Sequence, residues 1–187
     1  MTVRVLRRAD HLQMPWRNGG GFTAQVACSP DGDGSAPFDW RVSFAEVEHS
    51  GDFSAFPGVD RVIVLVEGPA MTLTVDGVRH ALQRHQPFTF DGESVTQCEV
   101  LAPTLDLNVM TRRGRVDADV EVLELDTAPR PTREADDLLV AVLAGEARVA
   151  QDGQVHELRA GDVAASNARR SLTVAGTATA AVIGIYR

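Results

Sequence analysis

The 187-residue chain contains no lysine; all 18 of its basic residues are arginine. Schiff-base catalysis and lysine general bases are thereby excluded, and any cation in a site is a guanidinium, whose planar fork suits carboxylates. Cysteine is scarce. Cys28 and Cys98 stand alone, outside any CxxC motif, so a disulfide framework is excluded and both read as reduced core residues. No apolar run approaches the roughly 20 residues of a membrane helix. Residues 1–12 alternate apolar and charged positions without a signal-peptide core, which predicts a cytoplasmic protein with no membrane partner. A net charge of −8 argues against nucleic acid as a partner. What is present is apolar material: 44% of the residues, enough for one large domain or two small fused ones.

Sustained helical periodicity is also missing. In its place stand short β-branched or alternating runs at residues 3–6, 22–27, 38–47, 62–66, 71–75, 80–82, 88–90, 96–101 and 105–110. A second series follows at 120–125, 138–143, 147–150, 155–158, 163–165, 172–175 and 180–185. Residues 7–14 read as a turn, and 29–37 and 50–61 as loops. Many short strands with frequent turn signals predict an all-β sandwich or barrel. The pattern DGxxHxL occurs twice, from Asp76 to Leu82 and from Asp152 to Leu158, each time after a β-rich run. Two copies in one strand context imply a duplicated β-domain. The second copy, leading through Leu158-Arg159-Ala160-Gly161-Asp162 into the next strand, resembles a cupin half. The expected organisation is a duplicated cupin-like β-sandwich or jelly roll, with residues 1–118 and 119–187 as halves packed into one compact unit. The N-terminal strand is expected to pair with the second half to cover its edge.

The signatures of several chemistries are lacking. His11, His49, His80, His85 and His156 form no HxH pair, so neither a metal nor another cofactor is expected. His80 and His156 read as surface residues of hairpins. There is no GxSxG, and neither cysteine has a basic neighbourhood. The polar and aromatic residues of the first half are concentrated instead: Trp16, Arg17 and Asn18 before three glycines; Arg41 and Ser43 on one strand face; Phe53 and Phe56 in a loop; Arg61 opening a buried run; Asn108, Met110 and Arg112. The Arg41 and Ser43 face points either to solvent or to a barrel interior. Asp106, Asn108 and Met110 share a strand face, and an unpaired buried amide costs about 1–3 kcal/mol, so Asn108 needs a partner. That partner is a ligand or a local arginine.

The segments MPWRNGGG (14–21), WRVSFAEVEHSGDFSAFPGVDR (40–61), FDGE (90–93) and DLNVMTRRG (106–114) occur in this order and together resemble the HutD/Ves family. The resemblance implies a bicupin fold, an association with bacterial histidine utilisation, and binding of a small pathway intermediate such as formylglutamate to govern the pathway. It carries the family motif residues onto Trp16, Arg17, Asn18, Arg41, Ser43, Phe53, Phe56, Arg61, Asn108, Met110, Arg112 and Arg113. No established catalytic residue comes with it. A metal-free regulator that binds a small carboxylate is the leading expectation. A metal-independent isomerase or hydrolase of a carboxylated or sugar-like metabolite is the alternative, and an interaction module without a ligand is the third. A homodimer is expected only from the general frequency of symmetric oligomers.

Overall fold

A computed structural model describes residues 3–16, 20–32, 37–167 and 169–187. The strands are β1 (Arg4–Leu6), β2 (Leu12–Pro15), β3 (Gly21–Ser29), β4 (Trp40–Val47), β5 (Gly51–Asp52), β6 (Val59–Glu67), β7 (Met71–Val75), β8 (Val78–Leu82) and β9 (Pro87–Asp91). They continue with β10 (Thr96–Val100), β11 (Thr104–Arg112), β12 (Asp117–Leu125), β13 (Arg130–Pro131), β14 (Asp137–Gln151), β15 (Gln154–Arg159), β16 (Val163–Ser166) and β17 (Thr173–Tyr186). Among the described residues the only helical element is the 3-10 turn Arg8–Asp10. No helix among them is long and apolar enough to cross a membrane. The all-β, duplicated expectation holds.

Two compact units divide the chain: Leu12–Val116, and Met1–His11 together with Asp117–Arg187. The Leu12–Val116 unit has a six-stranded sheet, β2-β3-β4-β11-β6-β9, and a four-stranded sheet, β5-β10-β7-β8. One core cluster draws Val47, Ile63, Leu65 and Phe90 from the first sheet and Met71, Leu73 and Cys98 from the second. Burial between two sheets explains why alternate positions of β7 and β10 are apolar.

The other unit is one seven-stranded sheet ordered β1-β16-β14-β17-β12, with β15 and β13 paired to β14 and β17. Its hydrophobic core is built from residues such as Leu138, Val140, Val142, Val149, Leu158, Leu172 and Val182. β1 pairs antiparallel with β16, Arg4 opposite Ala165. Asp162 fastens this pairing. Its carboxylate accepts hydrogen bonds from the Arg7 guanidinium (2.7 Å) and from the backbone N–H groups of Arg8 (3.0 Å) and Arg159 (3.1 Å).

The two DGxxHxL copies are two-residue hairpins. Val75 pairs with Val78 and Gln151 with Gln154. Both central residues of each turn have positive φ: 47° and 82° at Asp76 and Gly77, 49° and 80° at Asp152 and Gly153. Asp-Gly suits this turn because Gly adopts the second conformation without strain and Asp tolerates the first.

Three local expectations need correction. Residues 12–14, assigned to a turn, belong to β2, which pairs with β3; Pro15 is tolerated because β2 is an edge strand. Residues 138–143 and 147–150 are one strand, since β14 stays paired to β17 through a bulge between Val142 and Ala144. His80 and His156 are half-buried rather than surface residues. His80, on β8 of the four-stranded sheet, lies 4.7 Å from the ring of Phe88 on β9 of the six-stranded sheet and is covered by it.

Candidate functional site

The site is set by the alternation of β11, an inner strand of the six-stranded sheet. Asp106, Asn108 and Met110 point to one face, Leu107 and Val109 to the other. Asn108 lies opposite Ser43 of β4 and Ile63 of β6, while Met110 lies opposite Arg41 of β4 and Arg61 of β6. Directly opposed residues of antiparallel strands share a face. Arg41, Ser43, Arg61, Asn108 and Met110 therefore converge on the side that carries Ile63 and Leu65 into the core between the sheets. The open choice for the Arg41 and Ser43 face resolves in favour of the interior.

Arg61 is 5% exposed and its guanidinium carbon lies over three rings, 5.1 Å from Phe53, 5.7 Å from Phe56 and 4.9 Å from Phe90. Stacking of a desolvated cation on aromatic faces contributes about 2 kcal/mol or more, which offsets part of the cost of burial. Nε of Arg61 donates to Asn108 Oδ1 at 3.3 Å. Burial lowers the Arg61 pKa to about 10, with Asp106 opposing and Arg41 reinforcing the shift. It remains a cation at neutral pH.

Arg41 lies over Phe38 (4.9 Å) and Phe56 (5.4 Å), so both guanidinium groups share the Phe56 ring. One nitrogen of Arg41 donates to the Met110 sulfur at 3.0 Å, a weak acceptor. Its Nε is buried without a hydrogen-bond partner. Burial pulls the Arg41 pKa down, opposed by Cys28.

Among the described residues the carboxyl of the cluster is Asp106, with no exposed surface. Its Oδ1 accepts from Asn108 Nδ2 at 3.3 Å, and its Oδ2 has no partner. Burial raises its pKa to about 7, against the pull of Arg61 and of the Asn108 hydrogen bond. Two guanidinium groups therefore face a single carboxyl that burial drives towards neutrality, which leaves an excess of positive charge. Among the described residues no three His, Cys, Asp or Glu side chains group as metal ligands. Cys98 of β10 is pushed up to about 12 by burial, with Asp106 and Glu99 adding to the shift, so it is an inert thiol.

The remaining residues divide. Trp16 donates from its indole to Thr23 (2.9 Å) and packs edge-on against Phe53 at 6.3 Å, which places both at the rings around Arg61. Gly21, at φ 156°, closes the glycine run: a Cβ there would lie 2.0 Å from the Glu46 carbonyl oxygen, so only glycine permits β3 to approach β4 so closely. Arg17 and Asn18 lie outside the described residues. Arg112 is half-buried; it donates to the Phe38 and Pro57 carbonyls (3.4 and 3.3 Å) and so ties loops together. Arg113 is exposed and bound by Asp60, Asp91 and Glu93 at 2.7, 2.7 and 3.1 Å. Phe38, Phe90 and Gln25 belong to the cluster without having been expected there, and Asp106 joins it from the face it shares with Asn108 and Met110. Gln25, opposite Ser43, is 5% exposed and leaves its Oε1 unpartnered. Polar residues at successive inward positions, Arg41 and Ser43 on β4 with Gln25 opposite Ser43 on β3, were the signal that could have found Gln25.

The sequence profile of the HutD family matches residues 8–183. The chain belongs to that family. Protein Ves of Citrobacter koseri is 46% identical over 121 residues, an alignment spanning 62% of this chain and 62% of that protein. An uncharacterised 21.2 kDa protein from the hutC 3' region of Pseudomonas putida is 40% identical over 110 residues, 58% of this chain and 57% of its own. The solved structure of HutD from Pseudomonas fluorescens SBW25, in a formate condition, is 31% identical over 99% of this chain and 98% of its own, with a TM-score of 0.85. A cupin barrel-domain protein from Leptotrichia buccalis shares the fold alone, with 12% identity, a TM-score of 0.59, and coverage of 88% of this chain and 87% of that one. The expected kinship and the cupin-like architecture are thus both found.

Proposed function

We propose that this HutD-family protein is a metal-free regulator of histidine utilisation, working in the cytoplasm, that binds a small carboxylate such as formylglutamate inside its Leu12–Val116 unit. The observation that carries this reading is the uncompensated guanidinium pair. Arg41 and Arg61 share one aromatic ring, Arg41 Nε is buried without a partner, and the nearest carboxyl reaches Arg61 only through Asn108. Buried cations in natural proteins are paired, so an anion of the right shape completes the site. The rings of Phe53, Phe56 and Phe90 exclude water from the pair, as in most small-molecule sites. The hutC-region relative agrees with the pathway.

Isothermal titration with formylglutamate tests the reading. Arg61→Ala is expected to cost about 2–5 kcal/mol of binding because the ligand carboxylate loses its buried counterion. Arg170→Ala is the control, since Arg170 is exposed and pairs with Asp152 at 2.7 Å. Equal affinity of wild type and Arg61→Ala would sink the assignment. If Arg61→Ala unfolds, Arg61→Gln with retained circular dichroism takes its place.

One observation favours the enzymatic alternative, a metal-independent isomerase or hydrolase. Asp106, with its pKa near 7, is the kind of group that transfers protons at neutral pH. Incubation of the protein with histidine-pathway carboxylates, followed by mass spectrometry, separates the two readings. New product formed by wild type and not by Asp106→Asn supports the enzyme.

A further inference from the structure

The proposed carboxylate site is joined to a second buried group by a short polar chain. Asp106 Oδ1 accepts from Asn108 Nδ2, and Asn108 Oδ1 accepts from Arg61 Nε, each at 3.3 Å. The amide of Asn108 is thereby fixed in orientation, with its donor end on the carboxyl and its acceptor end on the guanidinium. Resting on the carboxylate reading above, we propose that an anion binding at Arg61 is accompanied by uptake of one proton on Asp106 Oδ2.

The geometry and the charges require this coupling. Asp106 is fully buried, and Oδ2 has no hydrogen-bond partner, so the ionised form is poorly satisfied and Oδ2 is the oxygen free to take the proton. Among the described residues, Arg61 is the cation that favours the charged state. An anion seated on Arg61 cancels that field and adds a negative charge nearby in a medium where charges are weakly screened. Both effects act on Asp106 in the same direction. The anion and the carboxylate compete for one guanidinium, and protonation relieves the competition.

Among the described residues no other neighbour absorbs the change. Opposite Asp106, β4 presents Ala45 and β6 presents Leu65, neither of them titratable. From β10, Cys98 feels Asp106 but stays protonated, its thiol pushed up to about 12. Arg41 of β4 acts on Arg61 and remains a cation. Asp106 itself sits near 7, so the exchange falls in the neutral range.

Sodium formate is the probe, since its own ionisation is complete above pH 6. Titration calorimetry at pH 8, in two buffers of different ionisation enthalpy, is expected to show about one proton taken up per formate bound. The formate affinity of wild type is expected to weaken about tenfold per pH unit above 7. Asp106→Asn is expected to bind formate with no proton uptake and no such slope. The carbon-13 carboxyl resonance of Asp106 in wild type gives an independent readout and is expected to shift to its protonated position when formate is added at pH 8. Formate binding by wild type without proton uptake, uptake that persists in Asp106→Asn, or an unmoved Asp106 resonance overturns the coupling. Absence of formate binding at pH 6, or undiminished binding by Arg61→Ala, overturns the carboxylate site itself.

Discussion

Asp106 sets a stability cost that can be measured without any ligand. A carboxyl whose folded pKa is raised from the ordinary range to about 7 binds more protons in the native state than in the unfolded one. Its favourable contribution is complete below the ordinary carboxylate pKa, is lost as the pH rises through about 7, and stays constant above that. Urea unfolding of wild type and Asp106→Asn at pH 5 and pH 8 checks this. The variant is expected to gain on the wild type between the two, by on the order of a few kcal/mol. An equal difference at both pH values would mean that Asp106 is not perturbed. The sequence showed Asp106, Asn108 and Met110 sharing a face, and it showed that Asn108 needed a partner. It could not show that the partners are Asp106 and Arg61, because strand alternation names the face but not its register against β6. The cation site over Phe90 was hidden for the same reason: Arg61 and Phe90 face each other across paired strands distant in the chain.

At the scale of elements, the three-residue strand β1 is short for its task, and Asp162 makes up the difference. Burial opposes ionisation of Asp162, but the N–H groups of Arg8 and Arg159 and the Arg7 guanidinium outweigh it and hold the carboxyl below its usual range. Half of the Arg7 side chain is exposed, so the backbone donors carry most of the effect. Asp162→Ala leaves two backbone N–H groups without their acceptor and is expected to cost about 1–3 kcal/mol. It should also accelerate hydrogen exchange of the β1 amides in the Arg4–Leu6 segment. Because the folded pKa is depressed, this contribution is present above the ordinary carboxylate range and fades only as the pH falls below it. Unchanged melting temperature and unchanged β1 exchange would show that β1 needs no such clip. Strand positions and both Asp-Gly hairpins were legible because alternation and turn chemistry are local. The continuity of β14 and β17 was not, since Gly145 and Gly176 look like breaks in the sequence. Whether a strand ends at a glycine depends on the partner strand, and here pairing carries on past both.

For the molecule as a whole, the sign of the site opposes the sign of the chain. The net charge is −8, while the Arg41 and Arg61 cluster is positive and enclosed by rings. The exposed arginine nearest this region in sequence, Arg113, is already neutralised by Asp60, Asp91 and Glu93, so it offers little attraction to an approaching anion. On the proposed carboxylate reading, a small carboxylate is repelled at long range and held at short range. The Debye length falls from about 30 Å at 0.01 M to about 8 Å at 0.15 M ionic strength, which removes the repulsion while leaving a buried contact largely intact. The association rate of formylglutamate is thus expected to rise about two- to several-fold over that range, opposite to the usual behaviour of an electrostatically steered ligand. Temperature-jump relaxation of tryptophan fluorescence reads this rate, with a bulky sulfonate salt setting the ionic strength so that no small anion competes for the arginines. Trp16 packs against Phe53, one of the rings under Arg61, and so can report on the event. A rate that falls with salt would mean that the field of the two arginines reaches solvent, and that the site is an open, steering one rather than an enclosed trap.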